Sequence, residues 1–158
     1  MKYFVLGKVR PILPSEINFE EIGFLQSENY NQYYIDSKAD LSAWIDFGRR
    51  DAFRIVKGLA GGSTVSFESV RQPGHFLRHE NALLWLHSLS QTDLFKNDAS
   101  FFVEENENGF FHLRSFNFPD LFVRHQNFGL KLQKDDGSAL FQKDKSFKFV
   151  LLANKEGK

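Results

Sequence analysis

The chain has 158 residues, a length that suits a single domain with a core of its own. It carries 20 Lys and Arg against 20 Asp and Glu, so its formal net charge is zero, which argues against binding to nucleic acid or to the surface of an acidic membrane. It contains no cysteine, which excludes disulfides, thiolate metal sites and a cysteine nucleophile.

Residues 1–21 are predicted to be an N-terminal lead-in. Within them KYFVLGKV is a candidate strand, and RPILPSE has the composition of a linker. The apolar run at residues 3–6 is about half the length of a signal-peptide core, and no stretch reaches the roughly 20 apolar residues of a membrane span. We therefore expect a chain without an export signal, cytoplasmic if it is the whole protein and extracellular if it is a fragment of a secreted one.

Residues 22–158 contain three copies of one unit, predicted at about 22–60, 63–108 and 109–154. The second and third copies align at a constant offset of 46 residues. The matched pairs are Ser69 and Ser115, Pro73 and Pro119, Arg78-His79 and Arg124-His125, Phe95 and Phe141, Asp98 and Asp144, and Phe101 and Phe147. The first copy aligns at an offset of 42 in its first half and 48 at its last strand. In this alignment Ser37 replaces the histidine and Arg50 replaces the aspartate.

Each copy is predicted to form four short strands. In the second copy these are expected at about 65–70, 75–80, 83–89 and 100–105. Apolar residues alternate there with polar or small ones, the pattern of half-buried strands. The polar segment 90–98 is predicted to be a loop, and no window of helical length has apolar residues three and four apart. The residues expected in the core are Phe67, Phe95, Phe101, Phe141 and Phe147. Twelve short strands in three equal units indicate an all-β, closed barrel with threefold symmetry and no free sheet edge.

The repeat carries a specific signature. Ser-x-x-x-Pro-Gly-x-Phe-Leu-Arg-His begins at Ser69, and Asp-Ala-Ser-Phe follows at Asp98, after an interval of roughly 18 residues. This signature resembles the arabinofuranosidase-B-type (AbfB) β-trefoil, the family 42 carbohydrate-binding module. The junction GLAGGSTVSFES, residues 58–69, is similar to the link between the first two units of that family. The resemblance covers about residues 22–153 and implies a β-trefoil with three pseudo-repeats of four strands.

The same resemblance implies a function and a set of site residues. It implies a non-catalytic module with two shallow pockets, in the second and third units, for arabinofuranose side chains of arabinoxylan or arabinan. Carried across position by position, the sugar-binding residues are His79, Asp98, His125 and Asp144. In the family the first unit is usually the non-binding one, and Ser37 and Arg50 fit a degenerate site there.

The chemistry of these residue types suits a neutral sugar. A carboxylate accepts hydrogen bonds from two vicinal hydroxyls at once, and an imidazole adds one donor or acceptor in a plane. The candidate apolar walls for the C–H face of the sugar are Phe76, Trp85, Phe122 and Phe128. Arg78 and Arg124 alternate to the opposite strand face, and we expect them to form structural salt bridges. The third unit departs from the family pattern by reading Asp-Lys-Ser-Phe, with Lys145 after its aspartate.

Two other interpretations stay open. Each histidine could be a buried structural residue bonded to a backbone carbonyl. The chain could also be an intracellular β-trefoil scaffold for protein interactions, with vestigial sugar pockets.

We do not expect catalysis from this chain, although it could be part of, or partner to, an arabinofuranosidase. A glycosidase needs two carboxylates about 5–10 Å apart, and Asp98 and Asp144 belong to different units of a threefold barrel. His75 and His79 are expected about 13 Å apart along one strand, too far to share a metal ion. We predict no metal, no cofactor and a monomer.

Overall fold

The structure, a computed structural model, describes residues 10–11, 18–106 and 109–152. A two-residue strand, β1, lies at Arg10–Pro11. The strands of the first unit are β2 at Ile22–Ser27, β3 at Tyr33–Ser37, β4 at Ala43–Phe47 and β5 at Phe53–Lys57. Those of the second unit are β6 at Val65–Ser69, β7 at His75–Glu80, β8 at Leu83–Ser88 and β9 at Phe101–Glu105. Those of the third unit are β10 at Phe111–Ser115, β11 at Leu121–Gln126, β12 at Gly129–Lys134 and β13 at Phe147–Leu151.

The first and last strands of the three units form a closed six-stranded barrel. Around the ring β2 pairs with β5, β5 with β6, β6 with β9, β9 with β10, β10 with β13, and β13 with β2. The middle strands of each unit form the hairpins β3–β4, β7–β8 and β11–β12. These hairpins also pair with one another, for example at Gly129 and Trp44. The predicted all-β trefoil is confirmed, and the four strands of the second unit agree with the prediction to within one residue.

Phenylalanines from all three units fill the interior. Six of them are at most 1% exposed: Phe53, Phe67, Phe101, Phe111, Phe141 and Phe147. Because successive strand residues point to opposite faces, a strand such as β2 alternates between buried and half-buried positions. Full burial of one such side chain contributes about 1.5–3 kcal/mol, so these rings supply much of the driving force for the fold. The residues predicted for the core from the sequence are buried, Phe95 included, at 3% exposed.

Two short helices correct the prediction of a polar loop before the last strand. Helix α1 covers Asp93–Asp98 in the second unit and α2 covers Ala139–Asp144 in the third. Thr92 caps α1 by accepting a hydrogen bond from the backbone N–H of Phe95 at 3.1 Å, and α2 is capped in the same way by Ser138. Each helix has fewer than two turns and buries one phenylalanine, so it is too short to show a helical period in the sequence.

The lead-in contributes one feature to the described structure. Arg10–Pro11 pairs with Glu104 and Glu105 of β9, so the segment predicted as a linker begins with a strand. The candidate strand at residues 2–9 lies outside the described residues. Within the part of the chain that the structure describes, no helix is long and apolar enough to cross a membrane.

Candidate functional sites at the unit boundaries

His79 and Asp98 meet in the second unit, but a residue of the third unit joins them. The Nε2 atom of His79 lies 2.9 Å from Oδ1 of Asn117, and Nδ2 of Asn117 donates to Oδ1 of Asp98 at 2.9 Å. The direct distance from His79 Nε2 to Asp98 Oδ1 is 3.5 Å. Ser115 donates from Oγ to Oδ1 of Asn117 at 3.1 Å. We call His79, Asp98 and Asn117 the second-unit site.

The same network is built again at the boundary between the third and first units. His125 Nε2 lies 2.9 Å from Oδ1 of Asn29, and Nδ2 of Asn29 donates to Oδ1 of Asp144 at 2.8 Å. Ser27 donates to Oδ1 of Asn29 at 3.1 Å, as Ser115 does in the other copy. Corresponding distances in the two networks agree within 0.1 Å. We call His125, Asp144 and Asn29 the third-unit site.

The arginines before the histidines hold the two carboxylates. Because neighbouring strand residues face opposite sides, Arg78 leaves β7 on the side away from His79. Its Nη2 donates to Oδ2 of Asp98 at 2.7 Å, and its guanidinium lies 4.9 Å from the centre of the Phe95 ring. Arg124 contacts Oδ2 of Asp144 in the same way. The prediction that these arginines form structural salt bridges is confirmed.

The histidine and the aspartate of both sites are almost completely buried, whereas Asn29 and Asn117 are half-buried. His79 and Asp98 are 5% and 4% exposed, and His125 and Asp144 are 3% and 5% exposed. In each network the imidazole Nε2 faces an amide oxygen, so it carries the proton and donates. Each carboxylate oxygen accepts one bond from the protein, which leaves a lone pair on each for a ligand hydroxyl.

Burial also sets the protonation state of the third-unit histidine. Desolvation lowers the pKa of His125 below its usual 6.5, the Asp144 carboxylate opposes that shift, and the Arg124 guanidinium reinforces it. The imidazole is therefore neutral at pH 7. A neutral imidazole beside the Asp144 carboxylate suits the hydroxyl groups of an uncharged sugar.

A depression of about 290 Å³ opens over the third-unit site. Its walls include Tyr30, Phe128 and Leu140, and its floor includes His125 and Asp144. The ring of Tyr30 lies 5.2 Å from that of His125, centre to centre. At the second-unit site Phe118 covers His79 in the same position, at 5.6 Å. Both sites therefore combine a buried polar floor with an exposed aromatic wall.

Of the four predicted wall residues, only Phe128 lines this depression. Phe76 is 6% exposed and packs under α1 against Phe95 and Ala99, so its assignment as a pocket wall is wrong. Trp85 leaves β8 opposite Arg78, on the side away from His79, and stacks on His87 at 5.4 Å. Strand geometry decides both cases. Phe76 is three places from His79 on the same strand, and Trp85 is paired with Arg78 across the hairpin, so both side chains point to the face away from His79.

Phe122 is not a wall of the sugar site either, because Lys145 packs over its ring. The ammonium of Lys145 lies 4.2 Å from the centre of the Phe122 ring and 3.0 Å from Oδ2 of Asp135. Lys145 thus pairs with Asp135 and turns away from Asp144. Phe122 lines a separate depression with Glu104 and other polar residues, on the other side of the strand from His125.

The first unit has a different polar cluster at the equivalent place. Ser37 donates to Oδ2 of Asp51 at 2.8 Å, and Nη2 of Arg71, from the second unit, lies 2.5 Å from Oδ1 of Asp51. Arg71 also lies 3.6 Å from Asp36, which occupies the position of Arg78 in β7. Asp36 and Asp51 are 2% and 1% exposed. The guanidinium of Arg71 therefore occupies the place that the amide of Asn117 takes in the second-unit site.

The prediction that places Arg50 beside Ser37 is wrong. Arg50 is exposed, and its guanidinium lies over the rings of Phe24 and Tyr34, at 4.7 Å and 4.5 Å. Residues 48–52 of this unit form no helix before β5. In the other units the aspartate lies at the end of a short helix, and that helix is missing here. The inward carboxylate therefore belongs to Asp51, one residue after the aligned position, Arg50.

Sequence reasoning missed the two asparagines and the aromatic residue that follows each. The motif Ser-x-Asn-aromatic occurs in the first copy as Ser27-Glu28-Asn29-Tyr30 and in the third as Ser115-Phe116-Asn117-Phe118. The second copy has Arg71-Gln72 at the same positions. Each asparagine completes the site of the preceding unit. The motif is therefore recognised as part of the site only when His79 and His125 are compared with the unit that follows each of them.

Comparison with known proteins assigns most of the chain to one family. The alpha-L-arabinofuranosidase B (ABFB) domain profile matches residues 24–149. The chain belongs to the AbfB domain family. Alpha-L-arabinofuranosidase B of Emericella nidulans is 36% identical over 90 residues, which are 56% of this AbfB domain chain and 18% of that enzyme. The chain thus spans about a fifth of the length of this curated relative.

Solved structures agree with this assignment. An arabinofuranosidase complexed with arabinofuranosyl-alpha-1,2-xylobiose matches with a TM-score of 0.76 and 27% identity, over 85% of the AbfB domain chain and 32% of its own. A GH54 arabinofuranosidase soaked with a cyclic sulfate inhibitor matches with a TM-score of 0.74 and 26% identity, over 88% and 32% of the two chains. Each match therefore covers about a third of the solved chain.

Proposed function

We propose that this AbfB domain is a non-catalytic carbohydrate-binding module for arabinofuranose side chains of plant-type polysaccharides such as arabinoxylan and arabinan. The second-unit and third-unit sites each bind one side chain. A single copy of the protein contains both sites entire, so binding needs no second copy. A polysaccharide ligand is found outside cells, and we propose that the module works there, as part of or beside a glycoside hydrolase.

The observation that carries this proposal is the duplicated network. Packing alone does not require a histidine and an asparagine at these positions, because the first unit keeps the same strands and an inward aspartate, Asp51, with Ser37 and Arg71 in their place. Where the network is present, it holds a carboxylate with free lone pairs beneath an exposed aromatic ring. A furanose has vicinal hydroxyls for the carboxylate and a C–H face for the ring.

Two such sites on one module also suit a polymeric ligand. A neutral monosaccharide bound by a few hydrogen bonds and one ring contact is held weakly. A polysaccharide with many side chains can occupy both sites at once, and the second contact is then favoured by a high effective concentration.

The test is a calorimetric titration with methyl α-L-arabinofuranoside. Wild type is expected to bind two equivalents, Asp98→Asn and Asp144→Asn one each, and the double variant none. Asparagine preserves the shape of the side chain but loses the charge that accepts from two hydroxyls. Asp120→Asn, at an exposed turn, serves as the control and should bind like wild type. If both single variants retain two equivalents, the sites are wrongly assigned.

One observation favours the scaffold alternative. The four residues carried over by resemblance are at most 5% exposed, as expected for structural groups that no ligand reaches. In that case the histidines and aspartates bind only other groups of the protein, and wild type shows no heat with methyl α-L-arabinofuranoside, arabinan or arabinoxylan. The same titration therefore separates the two functions.

A further inference from the structure

A second depression, of about 430 Å³, lies beside the third-unit site and is lined with aromatic rings. Tyr33 of β3, Phe47 of β4 and Phe128 of the third unit form its apolar surface, which we call the aromatic platform. The rings of Tyr33 and Phe128 are stacked, 5.5 Å apart at 18°. Phe47 meets Tyr33 edge-on, at 5.7 Å and 69°. The side chains of Asn31 and Gln32 are at its rim.

The platform is unusually exposed for its composition. Phe47 is 64% exposed and Phe128 is 43% exposed, although rings of this size dominate protein cores when they are buried. Single exposed apolar residues are ordinary, but a contiguous aromatic surface with a polar rim marks a binding site. The amides of Asn31 and Gln32 supply both donors and acceptors beside the rings, which fits an uncharged polar ligand.

The backbone at Phe128 supports the same interpretation. Its φ is +70°, in the left-handed region that glycine and asparagine adopt with least strain. The matching hairpin positions in the other units, Leu41 and Ala82, also have positive φ, so the conformation belongs to the fold. Phenylalanine at such a position carries strain of about 1 kcal/mol or more. Because the Phe128 ring adds backbone strain and is only partly buried, we infer that it is there to contact a ligand.

The platform is continuous with the third-unit site. Tyr30 and Phe128 line both depressions, and their rings lie 5.7 Å apart. Asn29, which joins His125 to Asp144, also reaches the edge of the platform. A ligand in the 290 Å³ depression would therefore meet the platform with whatever group is attached to it.

The second-unit site has no counterpart of this platform. In strand register, Tyr33 opposite Phe47 corresponds to Leu121 opposite Lys134 in the third unit. Ala82 takes the hairpin position of Phe128. Of the surrounding aromatic side chains, only Phe118, the counterpart of Tyr30, is kept there. The two sites thus share a polar floor and differ in what lies beside it.

We propose that the aromatic platform binds the main-chain pyranose ring to which the arabinofuranose in the third-unit site is attached. This inference rests on the proposed function. A pyranose in a chair presents a flat face of C–H groups that stacks on aromatic rings, and its equatorial hydroxyls point outward toward the amides of Asn31 and Gln32. The third-unit site would then recognise an arabinofuranose together with the main-chain sugar that carries it, whereas the second-unit site would recognise the arabinofuranose alone.

The experiment compares two probes, methyl α-L-arabinofuranoside and arabinofuranosyl-xylobiose, on each site separately. Asp98→Asn isolates the third-unit site and Asp144→Asn isolates the second-unit site. The isolated third-unit site is expected to bind the trisaccharide about tenfold more tightly than the monosaccharide. The isolated second-unit site should bind both with similar affinity.

Phe47→Ala, added to Asp98→Asn, identifies the source of that gain. It should abolish the tenfold preference and leave the monosaccharide affinity unchanged, because Phe47 lines only the platform. Leu89→Ala removes an exposed apolar side chain elsewhere and should preserve the preference. Equal affinity of the third-unit site for both probes overturns this inference alone, as does a preference that survives Phe47→Ala. Absence of binding to either probe overturns the proposed function and this inference together.

Discussion

Asn29, near the start of the first unit, donates a 2.8 Å hydrogen bond to Asp144 in the third unit, 115 positions along the chain. The barrel makes this contact because β13 pairs with β2 and so brings the two ends of the repeat together. The third-unit site therefore exists only when the trefoil is closed. Asn117 and Asp98 make the same contact over 19 positions.

The asparagines give a pair of matched predictions. Asn29→Ala should remove one equivalent of bound methyl α-L-arabinofuranoside, at the third-unit site, and Asn117→Ala one at the second-unit site. Each change removes the amide acceptor of a buried imidazole N–H and the amide donor to one buried carboxylate oxygen, so each should lower the free energy of unfolding by about 1–3 kcal/mol. Urea unfolding and titration of the same samples measure both effects.

Asn31→Ala is the control for these variants, since its side chain is exposed and stands two residues from Asn29. It should change the free energy of unfolding by less than about 0.5 kcal/mol. A result in which Asn29→Ala destabilises the protein but leaves two equivalents bound would assign the network to stability alone.

Arg71 is predicted to be required for the stability of the first unit. Its guanidinium is the contact that compensates Asp51 and, at longer distance, Asp36, both of them buried. Loss of one partner of a fully buried pair costs about 3–5 kcal/mol, and because Arg71 is 55% exposed we expect about 2 kcal/mol for Arg71→Ala. Arg49 lies 3.6 Å from Asp36 and is 75% exposed, so Arg49→Ala should cost less than about 0.5 kcal/mol.

These two variants also test the absence of sugar binding in the first unit. Both should still bind two equivalents of methyl α-L-arabinofuranoside, because neither touches the second-unit or third-unit site. If Arg71→Ala and Arg49→Ala are equally destabilising, Arg71 does not compensate the buried carboxylates in solution.

The protein should lose stability in mild acid, and His125 should account for part of the loss. Because burial lowers the pKa of His125 in the folded state, the unfolded chain takes up this proton near pH 6.5 and the folded chain only below it. The contribution to stability is thus fully present above about pH 6.5 and decreases as the pH falls further. Burial and the nearby Arg78 lower the pKa of His87 as well, so its contribution has the same sign.

Urea unfolding at about pH 7.5 and pH 5.5 measures this dependence in wild type and in His125→Gln. Glutamine keeps a donor at the same place and does not titrate, so the variant should lose less free energy of unfolding between the two values. Equal losses in the two proteins would show that the histidine does not contribute.

The sequence was sufficient for the strands because they depend on local alternation, and it predicted salt bridges for Arg78 and Arg124 while leaving their acidic partners open. A residue next to His79 must point to the opposite strand face, so Arg78 takes part in the second-unit site only by donating a hydrogen bond to Oδ2 of Asp98. The same rule excludes Phe76 from the pocket walls, because Phe76 is three places from His79 on the same strand.

Other features depend on contacts that alternation does not encode. Asn117 belongs to the third unit but binds His79 and Asp98 of the second, so its role cannot be found by considering one unit alone. The short helix α1 is fixed by its cap and by burial of Phe95, too few residues for a periodic signal. Asp51 replaces Arg50 as the inward residue because a missing helical turn shifts the chain by one position. Each of these needs the closed barrel to be known first.

The last prediction concerns the arginine that holds the second-unit carboxylate. Arg78 and Asp98 have side chains 10% and 6% exposed, and Arg78→Met would leave that carboxylate in a buried place without its cation. We expect a loss of about 3–5 kcal/mol in the free energy of unfolding, together with loss of the sugar bound at the second-unit site and retention of the sugar bound at the third-unit site.

Arg114 provides the control. It donates two hydrogen bonds to Glu104, at 2.9 Å and 2.7 Å, and is 31% exposed. Because water reaches Arg114, Arg114→Met should cost only about 1–2 kcal/mol and leave both equivalents bound. If the Arg78→Met variant folds and still binds two equivalents of sugar, Asp98 binds its ligand without the arginine.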